Sequence, residues 1–202
     1  MNDKTLRNLS YGLFVLTSEA DGRANGCIIN TAQQAASDPL CMTVAVNKAN
    51  YTHDQILKSN KFNLSVISEA ASFELFKRFG FQSGRDVDKF AGFDAVKRSG
   101  NGLYYITEGT NGFFSAWVTQ TVDLGSHTLF IATVTDMDVL SSDPSTTYDY
   151  YHKHIKPAPA AKPADKTLWR CSICGYEYEG EALPADFICP LCKHPASDFE
   201  KV

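Results

Sequence analysis

NGCIINTAQQAASDPLCMTVAVNKANYTHDQI, residues 25 to 56, passes through two strand-like runs and into a helix. ANGCIINTAQQA and CMTVAV are rich in β-branched and apolar residues, and the SDP between them is a turn signal. In YTHDQILKSN, Thr52 and Gln55 have the spacing of a capping box, which predicts a helix starting there. This stretch therefore predicts strand, turn, strand and helix within one fold unit.

Further strands are predicted on either side. YGLFVLTS is closed by the turn signal DG, and FNLSVIS, FFSAWVTQTVDLG and HTLFIATVTDMDV follow downstream. About six strands of this length predict a closed or nearly closed barrel. A second helix is expected at SFELFKRFG, with Phe73, Phe76 and Phe79 on one face and Gly80 as its stop. The expected fold class is mainly β, with α+β character. No Gly-x-Gly-x-x-Gly turn is present, so a Rossmann unit is not expected.

At 202 residues, 44% hydrophobic and 21% charged, the chain is suited to one medium domain plus a small appendage. KPAPAAKPADK, Lys156 to Lys166, has no apolar periodicity and reads as a linker, extended to about 30 Å in polyproline geometry. The expected division is a domain at 1–155, a linker at 156–166 and a small domain at 167–202. Neither half is basic: 13 basic and 16 acidic residues precede Lys156, and 6 and 7 follow from it. That charge argues against a nucleic-acid partner. MNDKTLRNLSYG is not an apolar leader, and no apolar run approaches the roughly 20 residues of a spanning helix, so a cytoplasmic protein without membrane partners is expected. Cys27 and Cys41 stand singly in apolar runs and read as buried small hydrophobes, with a redox pair as the alternative.

Asn47, Lys48, Asn50, Tyr51 and Thr52 lie between a strand and a helix start. Such a start offers free N–H groups and the positive end of the helix dipole, so these side chains suit a phosphate. The other reading is that Thr52 caps the helix and Lys48 is a solvated charge.

The residues 25–56, together with FGFQSGRDVDKF and DLGSHTLFIATV, resemble the FMN-binding split barrel of the flavin reductase and flavoredoxin group, over about residues 1 to 152. The resemblance implies bound FMN, with Asn25, Asn30, Thr31 and Gln33 along the isoalloxazine ring. Lys48, Asn50, Tyr51 and Thr52 would hold the phosphate end. Lys89 would reach the flavin from outside the barrel, and His127 would contact it from its strand. It also implies NADH or NADPH as donor, a homodimer, and no catalytic side chain beyond those that hold the flavin. Where many relatives carry an aromatic residue and two prolines, this chain has Thr31 and Asp38-Pro39-Leu40, which implies a differently packed flavin face.

CSICGYEYEGEALPADFICPLC, residues 171 to 192, holds two Cys-x-x-Cys pairs. Each turn points two thiolates inward, and Gly175 is suited to the left-handed geometry that brings backbone N–H groups near sulfur. Cys171, Cys174, Cys189 and Cys192 thus predict a tetrahedral metal site, open at this stage to zinc or a single iron. The segment from Trp169 to Val202 resembles a rubredoxin of the short form found at the end of rubrerythrins, which implies iron. A unit of some 35 residues needs its metal to fold. Residues 167–202 hold three basic and six acidic side chains, which suits a protein redox partner.

The combined expectation is an NAD(P)H-dependent oxidoreductase in which FMN passes single electrons to an iron held by four cysteines and then to a protein acceptor. By resemblance to fused proteins of this kind, the acceptor is a flavo-diiron protein reducing dioxygen or nitric oxide. The alternative is a flavin or ferric reductase whose tail is a structural zinc ribbon used for docking.

Overall fold

A computed structural model describes residue 5, residues 8–157 and residues 167–202. Most of the expected linker, from residue 158 onward, lies outside the described residues. The chain divides into two compact units, Met1–Lys156 and Pro157–Val202.

The strands of the first unit are β1 (Phe14–Ala20), β2 (Arg23–Ile29), β3 (Ala32–Ser37), β4 (Leu40–Asn47), β5 (Lys61–Ile67), β6 (Val96–Arg98), β7 (Tyr104–Ile106), β8 (Thr110–Asp123) and β9 (His127–Val139). β6 and β7 pair with each other as a separate hairpin. The other seven form one antiparallel sheet in the order β2-β1-β5-β8-β9-β4-β3. Its two edge strands, β2 and β3, are consecutive in the chain and joined only by Asn30 and Thr31. The sheet must therefore curl until its edges meet at that joint without pairing, which is a split barrel. Its interior is closed by Leu16, Val44, Val46, Ile56, Phe62, Phe130 and Ala132.

Two helices pack on this frame: α1 (Tyr51–Ser59) and α2 (Phe73–Gly80). The capping-box expectation for α1 is corrected. Asn50 has the extended backbone of an N-cap, and no side chain caps the helix. Thr52 is the second helical residue, fully buried, and its hydroxyl instead accepts from Asn25. In α2 the buried side chains are Leu75, Phe76 and Phe79, while Phe73 is only partly covered. Gly80 belongs to the helix, with Phe81 following as its C-cap.

The β6–β7 hairpin has strands of three residues, too short for a sequence pattern. Buried polar groups hold it: Thr17 donates to the Tyr104 carbonyl at 2.5 Å, and Asn63 donates to the Leu103 carbonyl at 3.0 Å. Past β9 the chain forms a helical turn, Tyr148–Tyr150, that continues as a π-helical segment, Tyr151–Ile155.

The second unit is a small antiparallel sheet in which β10 (Thr167–Cys171) lies between β11 (Glu177–Gly180) and β12 (Phe199–Lys201). Its core is Cys171, Cys189 and Phe199, with Trp169, Tyr176, Tyr178, Leu183 and Phe187 packed around them. Phe187 meets Phe199 edge to face at 5.4 Å. Among the described residues no helix is long and apolar enough to cross a membrane.

Candidate functional site

In the barrel, three of the expected cofactor residues, Asn50, Thr52 and Lys89, converge on Cys27. Asn25 sits two residues before it on β2 and donates through Nδ2 to Thr52 Oγ1 at 2.8 Å. Asn50, at the start of α1, directs its amide to Cys27 Sγ at 3.8 Å instead of capping the helix. Burial pushes the Cys27 thiol pKa up, against a hydrogen bond from Thr52 and the nearby charge of Lys89. Cys27 and Cys41 are both free thiols; Cys27 is buried, as expected, and Cys41 is only partly so.

Lys89 is not an exposed loop residue: it is 3% exposed, and its ammonium donates to the carbonyls of Gly26 at 2.8 Å and Phe79 at 3.1 Å. Among the described residues it has no carboxylate partner, and burial lowers its pKa. The loop carrying it lies against β2. A Cβ on Gly84 would stand 2.0 Å from Asn25 Oδ1, so that close approach requires glycine.

Tyr51 opens α1, and two guanidiniums lie over its ring, Arg23 Cζ at 5.3 Å and Arg85 Cζ at 5.2 Å from the centroid. Arg85 donates to Asp54 Oδ2 at 2.7 Å. His53 Nδ1 lies 3.2 Å from the other Asp54 oxygen, and its Nε2 is 2.9 Å from Thr128 Oγ1. Burial opposes ionisation of Asp54, but the bonds from Arg85 and His53 outweigh it and hold the carboxyl below its usual range. Sequence reasoning does not single out Arg23, His53, Asp54 or Arg85. The one available signal is Arg85, inside the same SGRDVDKF loop that carries Lys89.

The remaining expected residues lie on neighbouring elements. Lys48 pairs with Asp123 at 2.6 Å across the β8–β9 turn, and its backbone N–H donates to Ser126 O. His127 opens β9 opposite Asn47, with Nδ1 2.9 Å from Ser126 Oγ. Asn30 and Thr31 form the joint between the barrel edges, where Thr31 Oγ1 donates to the Ala45 carbonyl at 2.6 Å. Gln33 is exposed on β3 and borders a cleft of about 350 Å³, lined also by Phe14, Cys41, Met42, Phe114 and Met137.

Two features of this cradle fit a bound flavin. Asn25 Oδ1 is buried with no donor among the described residues, so a cofactor hydroxyl would satisfy it. The start of α1 has no side-chain cap, which leaves backbone donors for an anion.

The tail site is more local. The four cysteine sulfurs all lie within 4.8 Å of one another, with Cys171 to Cys192 at 3.6 Å and Cys174 to Cys189 at 3.4 Å. The two knuckles repeat one turn. Gly175 N–H donates to Cys171 O with φ +75°, and Lys193 N–H donates to Cys189 O with φ +63°. The first left-handed residue is legible from its glycine; the second is a lysine and leaves no such mark. Burial opposes ionisation of Cys189, but the N–H groups of Cys192 and Leu191 and the neighbouring thiols bring its pKa to about 6. His194 N–H favours the Cys192 thiolate, yet burial and the other cysteines push that pKa to about 12. A divalent or trivalent cation among the four sulfurs is what allows all of them to be thiolates. The sulfur-only donor set fits rubredoxin-type iron or zinc.

Comparison with known proteins gives two family matches: the flavin reductase like domain over residues 6–159, and the rubrerythrin, rubredoxin-like domain over residues 169–200. The chain is 37% identical to the high molecular weight rubredoxin of Moorella thermoacetica over all of both chains. It is 35% identical to the ferric-chelate reductase (NAD(P)H) of Archaeoglobus fulgidus, over 75% of this chain and 89% of that one. Among solved structures, the flavin reductase PheA2 in its native state superposes with a TM-score of 0.59 at 26% identity, covering 71% of this chain and 90% of that chain.

Proposed function

Because the chain belongs to the flavin reductase like family and carries a C-terminal rubredoxin-like domain, we propose that it is an NAD(P)H-dependent electron-transfer oxidoreductase. The observation that carries this reading is the presence, in one chain, of an uncapped, cation-lined cradle and a four-sulfur cluster. A bound flavin would supply acceptance of two electrons as hydride and release of one at a time, and an iron held by four thiolates would supply one-electron storage.

The residues would divide the work by position. Asn25 offers an unpartnered oxygen to the cofactor, with Asn30, Thr31 and Gln33 further along the barrel edge. Asn50, Tyr51 and Thr52 present the helix start to the phosphate of FMN, and Lys48 lies between β4 and α1, paired with Asp123 at the end of β8. Lys89 holds the backbone of Gly26 in place, and His127 borders the site from β9. Cys171, Cys174, Cys189 and Cys192 hold one iron.

The barrel at 1–155 is joined by the linker at 156–166 to the metal domain at 167–202, and the protein works in the cytoplasm as a homodimer. Support for a dimer comes from the exposed edge strand β3 and the apolar cleft beside it. The electron acceptor is a redox protein of the flavo-diiron type, met through the acidic surface of the tail.

The test is anaerobic purification, metal analysis and a visible spectrum, followed by NADH or NADPH. The expected result is one iron and one FMN per chain, both bleached by the nucleotide. Zinc in place of iron, or iron that stays oxidised while the flavin is reduced, overturns the relay.

A further inference from the structure

The cradle holds more positive charge than its own carboxylates balance. Two guanidiniums flank Tyr51 at the start of α1, those of Arg23 and Arg85, and the ammonium of the buried Lys89 lies against Gly26 on the adjoining β2. Asp54, on Arg85, is their one carboxylate partner among the described residues. Arg23 has a neutral partner instead, the Gly84 carbonyl at 2.5 Å. The Arg23 guanidinium has no carboxylate partner among the described residues, and a buried ammonium without a counter-charge among them is unfavourable. An anion of about two charges, which is what a phosphate monoester carries at neutral pH, would balance the positive charge that Asp54 leaves over.

We infer that Arg23 and Arg85, mounted on Tyr51, are phosphate-binding residues that give the protein its preference for FMN over unphosphorylated riboflavin. The inference rests on the reading of the barrel as a flavin site and names residues that the resemblance did not supply. Independent support comes from the buried Asn25 Oδ1 beside Thr52, which has no partner among the described residues and points to a ligand at the same helix start. Arginine is suited to the role because its planar fork meets two phosphate oxygens at once. The Arg85 side chain is 49% exposed and, among the described residues, bonds Asp54 through one of its two terminal nitrogens. Lys48 is less available, because its ammonium is already paired with Asp123.

The test uses the full chain, stripped of flavin and titrated with FMN, riboflavin and FAD by fluorescence quenching. Arg23→Gln and Arg85→Gln should each weaken FMN about tenfold, the loss expected for one charged hydrogen bond, with riboflavin affinity unchanged within about twofold. Asp54→Asn removes the partner of Arg85 but keeps the guanidinium, so FMN affinity should hold or rise. If Asp54→Asn weakens FMN as much as Arg85→Gln, the arginine acts only through the ion pair and the inference falls. It falls too if the variants keep the wild-type ratio of FMN to riboflavin affinity, or if FAD binds more tightly than FMN. A wild-type chain that binds none of the three flavins sinks the flavin reading itself, a different outcome.

Discussion

The two candidate sites are built in opposite ways. In the tail, each pair of sulfurs comes from one four-residue turn, so the site is written in local spacing. In the barrel, Asn25, Thr52, Gly84 and Lys89 come from β2, α1 and the loop after α2, and no two are adjacent in the chain. A local site can be read from sequence because turn geometry fixes where its ligands point. A dispersed one depends on which segments the core presses together. Damage should follow the same division: a tail defect should stay in the tail, while a barrel defect should weaken cofactor retention through contacts remote in sequence.

The largest effect is expected from Cys174→Ser. Electron delivery to an external protein acceptor should drop to background while flavin reduction by NAD(P)H stays within about twofold. Stopped-flow reduction measured beside acceptor turnover checks this, and equal loss of both would erase the division between the units.

Next in size is Gly84→Ala. The added carbon would have to displace the buried Asn25 amide, which should cost about 1–3 kcal/mol in chemical denaturation and release flavin in parallel. A stable variant with full flavin content would mean that the loop does not need to lie on β2.

Thr52→Val keeps the side-chain volume but removes the hydroxyl that Asn25 bonds. FMN affinity should fall roughly tenfold by fluorescence titration, because a buried donor is left unpaired. If affinity does not change, Thr52 serves packing alone.

The smallest effect belongs to the turn that looks most important in sequence. Gly175→Ala meets no atom within 4 Å, so its cost is only that of a left-handed backbone, about 1 kcal/mol in thermal unfolding of the metal-loaded tail. The left-handed Lys193 at the matching position shows that the fold accepts that cost once already.

Much of the barrel frame is legible in the sequence. The strand runs from Tyr11 to Val139 and both helices lie close to where apolar periodicity places them, because those elements bury one face against a common core. The β6–β7 hairpin is not legible, since polar bonds from Thr17 and Asn63 hold it. Thr52 and Gln55 have the spacing of a capping box, yet the N-cap is two residues earlier, at Asn50, and the threonine is buried facing β2. The resemblance has Lys89 reaching the flavin from outside the barrel, whereas the packing of its loop buries it on the carbonyls of Gly26 and Phe79.

The sequence by itself determined the four-sulfur centre, the alternation of strands and turns, and the place where a helix starts beside polar donors. These depend on spacings of two to four residues, over which backbone geometry leaves little choice. Tertiary structure alone decided that, among the described residues, Asn25 Oδ1 has no partner and the buried Lys89 no carboxylate, and that Arg23 and Arg85 share one ring. Those facts arise from segments up to 63 positions apart, Gly26 to Lys89, brought together by the curl of the sheet, and no local pattern records them.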